Sequence, residues 1–259
     1  MQPEIFDGSL VQQHYARAAR GFRHYDVLWK EMVARINERL SEITRPFPST
    51  LLLSPIPADV PHSYFYNNAE IINAADESLD AVLSINSLHL VNDVVGALIQ
   101  MRNALRSDGL ILATFPGGET LKELRAALAY AETELTGGIS PRIAPFIDVR
   151  DGGNLLQRAG FIEPVADTET ITLTYDSIFA LMHDLRGMGQ TNPLHGRRSS
   201  FTPMALFMLA EEYYREHFTD SEGRLKMTVD LITLTGWKPT EPQDKTRFER
   251  LQSPSPSSD

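Results

Sequence analysis

"LDAVLSINSLHLVNDVVGALIQMRNALRSDGLILATF", Leu79 to Phe115, is the best-patterned stretch of the chain. Its two ends, Leu79–Asn86 and Leu110–Phe115, are short apolar runs and read as strands. Between them, Asp93–Gly109 reads as a helix. Asp93 stands where a side chain can cap the first turn, and Ser107-Asp108-Gly109 supplies turn residues after the last one. Strand, helix and strand in this order predict two parallel strands joined by a right-handed crossover. The fold class is therefore α/β.

The flanking sequence extends this unit. Upstream, Val11 to Ile43 is helical in pattern, with Val27, Leu28, Met32, Ile36 and Leu40 recurring every three or four residues. Arg45-Pro46-Phe47-Pro48 ends that helix, and Leu51–Leu53 follows as a short buried strand. Downstream, a helix is expected over Thr120–Leu135, where Thr120 and Glu123 have capping-box spacing. A Gly/Pro-rich loop, "TGGISPRIAPF", leads into "DVRDGGNLLQRAGF". Glu169–Tyr175 alternates and is β-branched, which predicts a strand. Two helices, "DSIFALMHDLRGMG" and "FTPMALFMLAEEYYREHF", precede a last strand, "KMTVDLITLTGW". The expected division is a helical segment over 1–48, an α/β domain over 49–238 with a helical insertion at about 176–218, and a polar, Pro/Ser-rich flexible tail over 239–259.

The composition excludes several functions. The 259 residues carry a formal net charge of -10 and no dense basic run, which argues against a nucleic-acid partner. No cysteine is present, so disulfides, thiolate metal sites and a cysteine nucleophile are excluded. His183 and His195 have no ligand spacing with any carboxylate, so no metal is expected. Gly117-Gly118 lacks the Lys and Ser/Thr of a phosphate-binding loop. The opening "MQPEIFDGSL" does not read as a secretory signal, and no apolar run is long enough to span a bilayer. The expectation is a cytoplasmic protein.

The run from "SLDAVLSINSLHLVND" through "RSDGLILATFPGGETLKELRAAL" resembles the second half of a class I S-adenosylmethionine-dependent methyltransferase domain. "GGISPRIAPFIDVRDGGNLLQRAGF", "LMHDLRGMGQTN", "LTGWKP" and the opening "IFD…HYARAARGFRHYDVLWKEMVARINERL" are most similar to the complex I assembly factor family, whose characterised member is an arginine hydroxylase. The malonyl-carrier-protein methyltransferases of biotin synthesis are also similar. The resemblance covers Ile5 to about Pro239. It implies a Rossmann-like sheet with S-adenosylmethionine as cofactor and a protein partner or a homo-oligomer.

The chain departs from that family where the cofactor's methionine end is held. The family's first strand ends in a glycine-rich loop, because glycine lets backbone approach a ligand closely. Here Leu53 is followed by Ser54-Pro55-Ile56-Pro57, and no glycine occurs between Gly21 and Gly96. About 25 residues separate Leu53 from Leu79, short of the ~30 of one strand-helix-strand unit. Two short strands, "SYFYN" and "EIINA", fit this space, with a tight loop at Asn67-Asn68 between them. The expectation is a sheet shortened in its first half by deletion of the cofactor loop. No acidic residue for the ribose can be placed among Asp59, Glu70 and Asp76.

Candidate site residues follow from the resemblance. Asp76 and Glu77 precede the Leu79 strand, where the resemblance places Asp76 near the adenine amino group; a turn with an Asx cap is the favoured reading of Asp76. Asn86, Ser87 and His89 end the strand, where ligands sit in open α/β sheets. Asp184 and Arg186 form either a clamp for substrate or partner, or an ion pair holding a helix end. Two functions stay open: an S-adenosylmethionine-dependent methyltransferase or protein-arginine hydroxylase, and a non-catalytic binding or assembly module working with a protein partner. Fold alone does not choose between them.

Overall fold

A computed structural model describes residues 4–57, 63–66 and 70–240. Expectations that fall on Asp59, Asn67, Asn68 and the tail from 241 lie outside these residues. The helices are α1 (Gly8–Ala18), α2 (Val27–Glu42), α3 (Val94–Ala104), α4 (Lys122–Thr136), α5 (Val149–Arg158), α6 (Ile178–Gly187) and α7 (Met204–His217). The strands are β1 (Thr50–Leu53), β2 (Ser63–Tyr66), β3 (Leu79–Ile85), β4 (Leu105–Gly117), β5 (Ile162–Tyr175) and β6 (Leu225–Trp237). They form one six-stranded sheet in the order β2-β1-β3-β4-β6-β5. β2, β1, β3 and β4 are mutually parallel, and β6 runs antiparallel to both of its neighbours.

The β3-α3-β4 unit has the expected parallel pairing, with Ala81 opposite Leu110 and Ile85 opposite Thr114. Both faces of the sheet are covered. Leu52, Ala81, Leu83 and Leu112 face a layer that includes Trp29, Met32 and Ile36 of α2, Leu124 of α4 and Leu206 of α7. Leu51, Leu53, Val82 and Ile111 face Leu98 and Met101 of α3 and Leu156 of α5. Burial on both faces is why the parallel strands read as nearly unbroken apolar runs rather than as alternation. Helix α2 and the α6–α7 region thus share one core with the sheet.

Several local expectations are corrected. The helical pattern from Val11 to Ile43 is two helices, broken by a 3₁₀ turn at Phe22–His24. Phe22 is buried edge-on against Trp29 at 5.7 Å, which anchors the break. Ser107-Asp108-Gly109 is not a turn after α3; it lies inside β4. There the Asp108 N–H donates to Lys238 O, the Lys238 N–H donates to Gly109 O, and Arg45 bonds Asp108. "EIINA" is not a strand. The side chain of Gln100 on α3 occupies its backbone instead, accepting from the Ile72 N–H at 3.1 Å and donating to Glu70 O at 2.8 Å.

Thr120 and Glu123 do not form a capping box. α4 starts after Leu121, which is left-handed at φ 59, and has no side-chain cap. Thr120 Oγ1 donates to Gly117 O at 2.6 Å and accepts from the Asp230 N–H at 3.0 Å. The Glu123 carboxylate accepts from the Thr228 N–H at 3.1 Å and from the Thr228 hydroxyl. Both side chains therefore tie α4 to β6, and Glu123 is only 4% exposed. Thr228 precedes the part of β6 that pairs with β4, so its amide depends on this carboxylate. Glu123→Ala should lower stability by about 1–3 kcal/mol, the cost of a buried donor left unpaired. The measurement is a urea midpoint shift at unchanged slope. A shift indistinguishable from zero would show that Thr228 finds another acceptor.

Candidate functional site at the carboxyl ends of the parallel strands

Because β1, β3 and β4 are parallel, their carboxyl ends share one edge of the sheet, the usual ligand position in open α/β folds. A cleft of about 520 Å³ lies there. Gly8, Gln12 and Tyr15 of α1 form one wall, and Pro55, Ser87 and Leu90 line the other side. Glu70 also reaches this cleft, where its Oε1 accepts from the Asn92 N–H at 3.1 Å.

Asn86 ends β3 in the left-handed region, at φ 52, a conformation asparagine tolerates better than most residues. It is buried and lies at the centre of a polar network. Its Oδ1 accepts from Gln190 Nε2 at 3.3 Å, and its backbone O accepts from the Tyr15 hydroxyl at 3.2 Å. Gln190 Nε2 also donates to the Tyr15 oxygen at 3.0 Å, while Gln190 Oε1 lies 3.1 Å from His89 Nε2. An amide oxygen only accepts, so this contact assigns the His89 proton to Nε2. Nδ1 is then a bare acceptor, buried and without a partner. Burial pushes the His89 pKa down to about 4, against a smaller opposing effect of the Gln190 bond, so the ring is neutral. Phe146 stacks on it at 6.4 Å. Ser87 Oγ is 2.7 Å from Ser84 Oγ.

The structure brings Asn86, Ser87 and His89 together at this edge. Asp76 and Glu77 are elsewhere. They precede the amino end of β3, which is itself roughly 23 Å along the strand from Asn86 at ~3.3 Å per residue. The Glu77 N–H donates to Asn103 O at the end of α3, and its carboxylate pairs with Lys238 at 3.2 Å. Asp184 and Arg186 are also not joined. Two residues apart on α6, they are about 200° apart around its axis, and they make no ion pair with each other. Asp184 interacts with Tyr175, whose phenol is pushed up first by burial and then by that carboxylate. The charge of Arg186 acts instead on His14 and Arg17 of α1.

Tyr15 and Gln190 escape the sequence reading. Their available signal is the glycine spacing in "RGMGQ". A Cβ on Gly187 would come within 2.4 Å of the Tyr25 ring, and one on Gly189, at φ 79, within 2.8 Å of the Tyr15 ring. Gly189 lets α1 and the turn after α6 approach closely enough to join the network, and Gly187 makes room for Tyr25.

At the exit of β1, Ser54 is buried and closes a tight turn on itself. Its Oγ donates to Ile56 O and accepts from the Ile56 N–H at 3.3 Å. Pro55 and Pro57 have no N–H. Among the described residues 55–57, no backbone amide is left to donate to a ligand.

The family described as "Methyltransferase domain" matches residues 27–113. The mitochondrial arginine-hydroxylase NDUFAF5 of Rattus norvegicus is 34% identical over 266 residues, covering 90% of this chain and 77% of the relative. The chain belongs to the methyltransferase-fold family of that arginine hydroxylase. The human arginine-hydroxylase NDUFAF5 is 35% identical and covers 92% of this chain and 78% of its own. A malonyl-[acyl-carrier protein] O-methyltransferase of Xylella fastidiosa is 34% identical over 194 residues, covering 74% of this chain and 63% of its own. Among solved structures, a putative methyltransferase of Bacillus halodurans aligns over 79% of this chain and 98% of its own, with 15% identity and a TM-score of 0.47. Among the described residues, no helix is long and apolar enough to cross a membrane.

For this family member the buried histidine gives a direct check. A folded pKa of about 4 lies below the ordinary 6.5, so the unfolded chain takes up the proton first as pH falls. The neutral ring's contribution to stability is complete above pH 6.5 and is lost as pH drops toward about 4. The His89 ring signals in NMR should stay in the neutral Nε2–H form across that window. A ring titrating near 6.5 would show that it is solvated.

Proposed function

We propose that this chain is a methyltransferase-family protein whose cofactor site is degenerate, and that it acts as a binding or assembly module with a protein partner. The observation that carries this reading is the exit of β1. The amino-acid end of S-adenosylmethionine carries a carboxylate and an ammonium, and a strand-to-helix loop holds such a group through close backbone approach and amide donors. At residues 55–57 two of the three positions have no amide hydrogen, and the third amide is bonded to Ser54 Oγ. These residues do not fit the group, so no catalytic step is assigned to it. Asp76 and Glu77 have no part in this reading, since they sit at the other end of β3.

The rest of the scaffold supports a protein partner. The carrier-protein methyltransferase is named for a protein-bound substrate, and the resemblance to an assembly factor family points the same way. Asn86, Ser87 and His89 remain as the floor beside the cleft, held by Gln190 and Tyr15. A second reading keeps the enzyme, as a methyltransferase or an arginine hydroxylase. The cleft of about 520 Å³ at the carboxyl ends favours it, because that volume admits a cofactor-sized molecule.

Calorimetric titration of the full chain with S-adenosylmethionine and S-adenosylhomocysteine separates the two. The expected outcome is no saturable heat at millimolar ligand from protein with native circular dichroism. Micromolar binding of either compound would overturn the degenerate reading and restore the enzyme.

A further inference from the structure

β5 stands at one edge of the sheet, with β6 as its neighbour. The direction of its backbone groups follows from β6. The Asp230 N–H donates to Thr120 Oγ1 at 3.0 Å, and Asp230 O accepts from the same hydroxyl at 3.3 Å. The Thr228 N–H donates to Glu123, and Thr228 O accepts from the Leu121 N–H at 2.9 Å. Both residues therefore turn their backbone groups toward the start of α4, away from β5. Thr170 and Thr172, opposite them on β5, sit in non-hydrogen-bonded pairs, with N–H and C=O directed out of the sheet. Alternation along the strand adds Thr168 and Thr174 to the same outward row. Arg224 Nη2 reaches Thr174 O from that open side at 3.0 Å.

An unpaired row of donors and acceptors is a template for another strand, and proteins guard such edges. Here the guards stand at the two ends. Pro164 and a register shift between Ile162 and Val165, with Glu163 at φ 49, block the amino end. Arg224 and Arg215, which bond Thr174 O and Asp176 O, block the carboxyl end. Among the described residues nothing bonds the outward groups of Thr168, Thr170 and Thr172, and all three residues are exposed. The open window is centred on Thr170. Its carboxylates lie on the α2 face and are neutralised within the chain. Arg39 pairs with Asp167 at 2.9 Å, and Arg35 pairs with Glu169.

We propose that this window binds a second copy of the chain, whose β5 pairs antiparallel with the first about a two-fold axis at Thr170. An edge that pairs with its own copy through a two-fold is antiparallel by symmetry. Thr170 then faces Thr170, and Thr168 faces Thr172 of the second copy, each pair exchanging both N–H···O bonds. On the α2 face Asp167 falls opposite Leu173 and Glu169 opposite Ile171. No like charges stand directly opposite each other, and threonine pairs are favourable neighbours across strands. The ladder is short against a standard interface, so the dimer is weak, with an expected Kd of about 10–100 μM. The surface uses neither the exit of β1 nor the Asn86 network, so it stands whether or not S-adenosylmethionine binds.

Sedimentation velocity of the full chain from about 1 μM to about 500 μM should show a monomer–dimer equilibrium. Hydrogen exchange followed by NMR should slow with concentration at the Thr168, Thr170 and Thr172 amides. The Glu169 and Ile171 amides, already bonded to β6, should not respond. Two double variants, each with native circular dichroism, read the register. Thr168→Glu with Thr172→Glu sets carboxylate opposite carboxylate and should weaken association by about tenfold. Thr168→Lys with Thr172→Glu sets opposite charges at the same positions and should keep it. A monomer at every concentration overturns the second copy as occupant. A dimer that responds to both variants alike, or whose exchange protection falls elsewhere, overturns this edge as its interface.

Discussion

The parallel register of β1, β3 and β4 is the constraint on which the rest of the molecule depends. Pairing Leu53 with Ser84 and Ile85 with Thr114 puts three carboxyl ends on one edge. Burial of both sheet faces holds that register, because a slip of one residue would exchange the side chains facing α2 and α4 for those facing α3 and α5. Antiparallel β6 then pairs from Leu110 to Gly117 of β4, closing the sheet on the other side. Asn86, Ser87, His89 and Ser54 are neighbours of the cleft as a consequence of this pairing, although 32 positions separate Ser54 from Asn86 in the sequence.

The same register limits what the exit of β1 can become. β1 and β2 are parallel neighbours, yet only nine residues, 54–62, join them. A parallel connection with its own helix takes a dozen or more. Among the described residues 54–57 no helix begins, and Ser54 uses the local amide to close its own turn. The sheet keeps its edge and its floor, and among the described residues 55–57 no amide is free to point at a ligand over β1.

The elements legible in the sequence were those whose partners are local or whose burial is complete. β3-α3-β4 could be read directly because its strands are buried on both faces and Asp93 caps α3 within three residues, accepting from the Gly96 N–H. The misreadings arose where a short polar pattern has a distant partner. Thr120 and Glu123 have the spacing of a cap, but bond to Asp230 and Thr228 of β6. "EIINA" has strand composition, but Gln100 takes its backbone groups. The sequence does not show which end of β3 Asp76 and Glu77 occupy relative to the cleft; the direction of the strand puts them at its amino end. Gln190 had no reading of its own, because its role comes from the meeting of α1, β3 and the turn after α6.

Helix α1 ties the floor of the cleft to the turn after α6. Tyr15 bonds Asn86 and Gln190 on one side of the helix, and Arg17 bonds Thr191 on another. Gly189 lets Tyr15 and Ala18 approach the backbone of that turn. From the same turn Gln190 reaches both Asn86 and His89. Asn86 is therefore held from the α1 side as well as by its strand, and the sheet, fixed by burial on both faces, supplies the frame against which that contact is set.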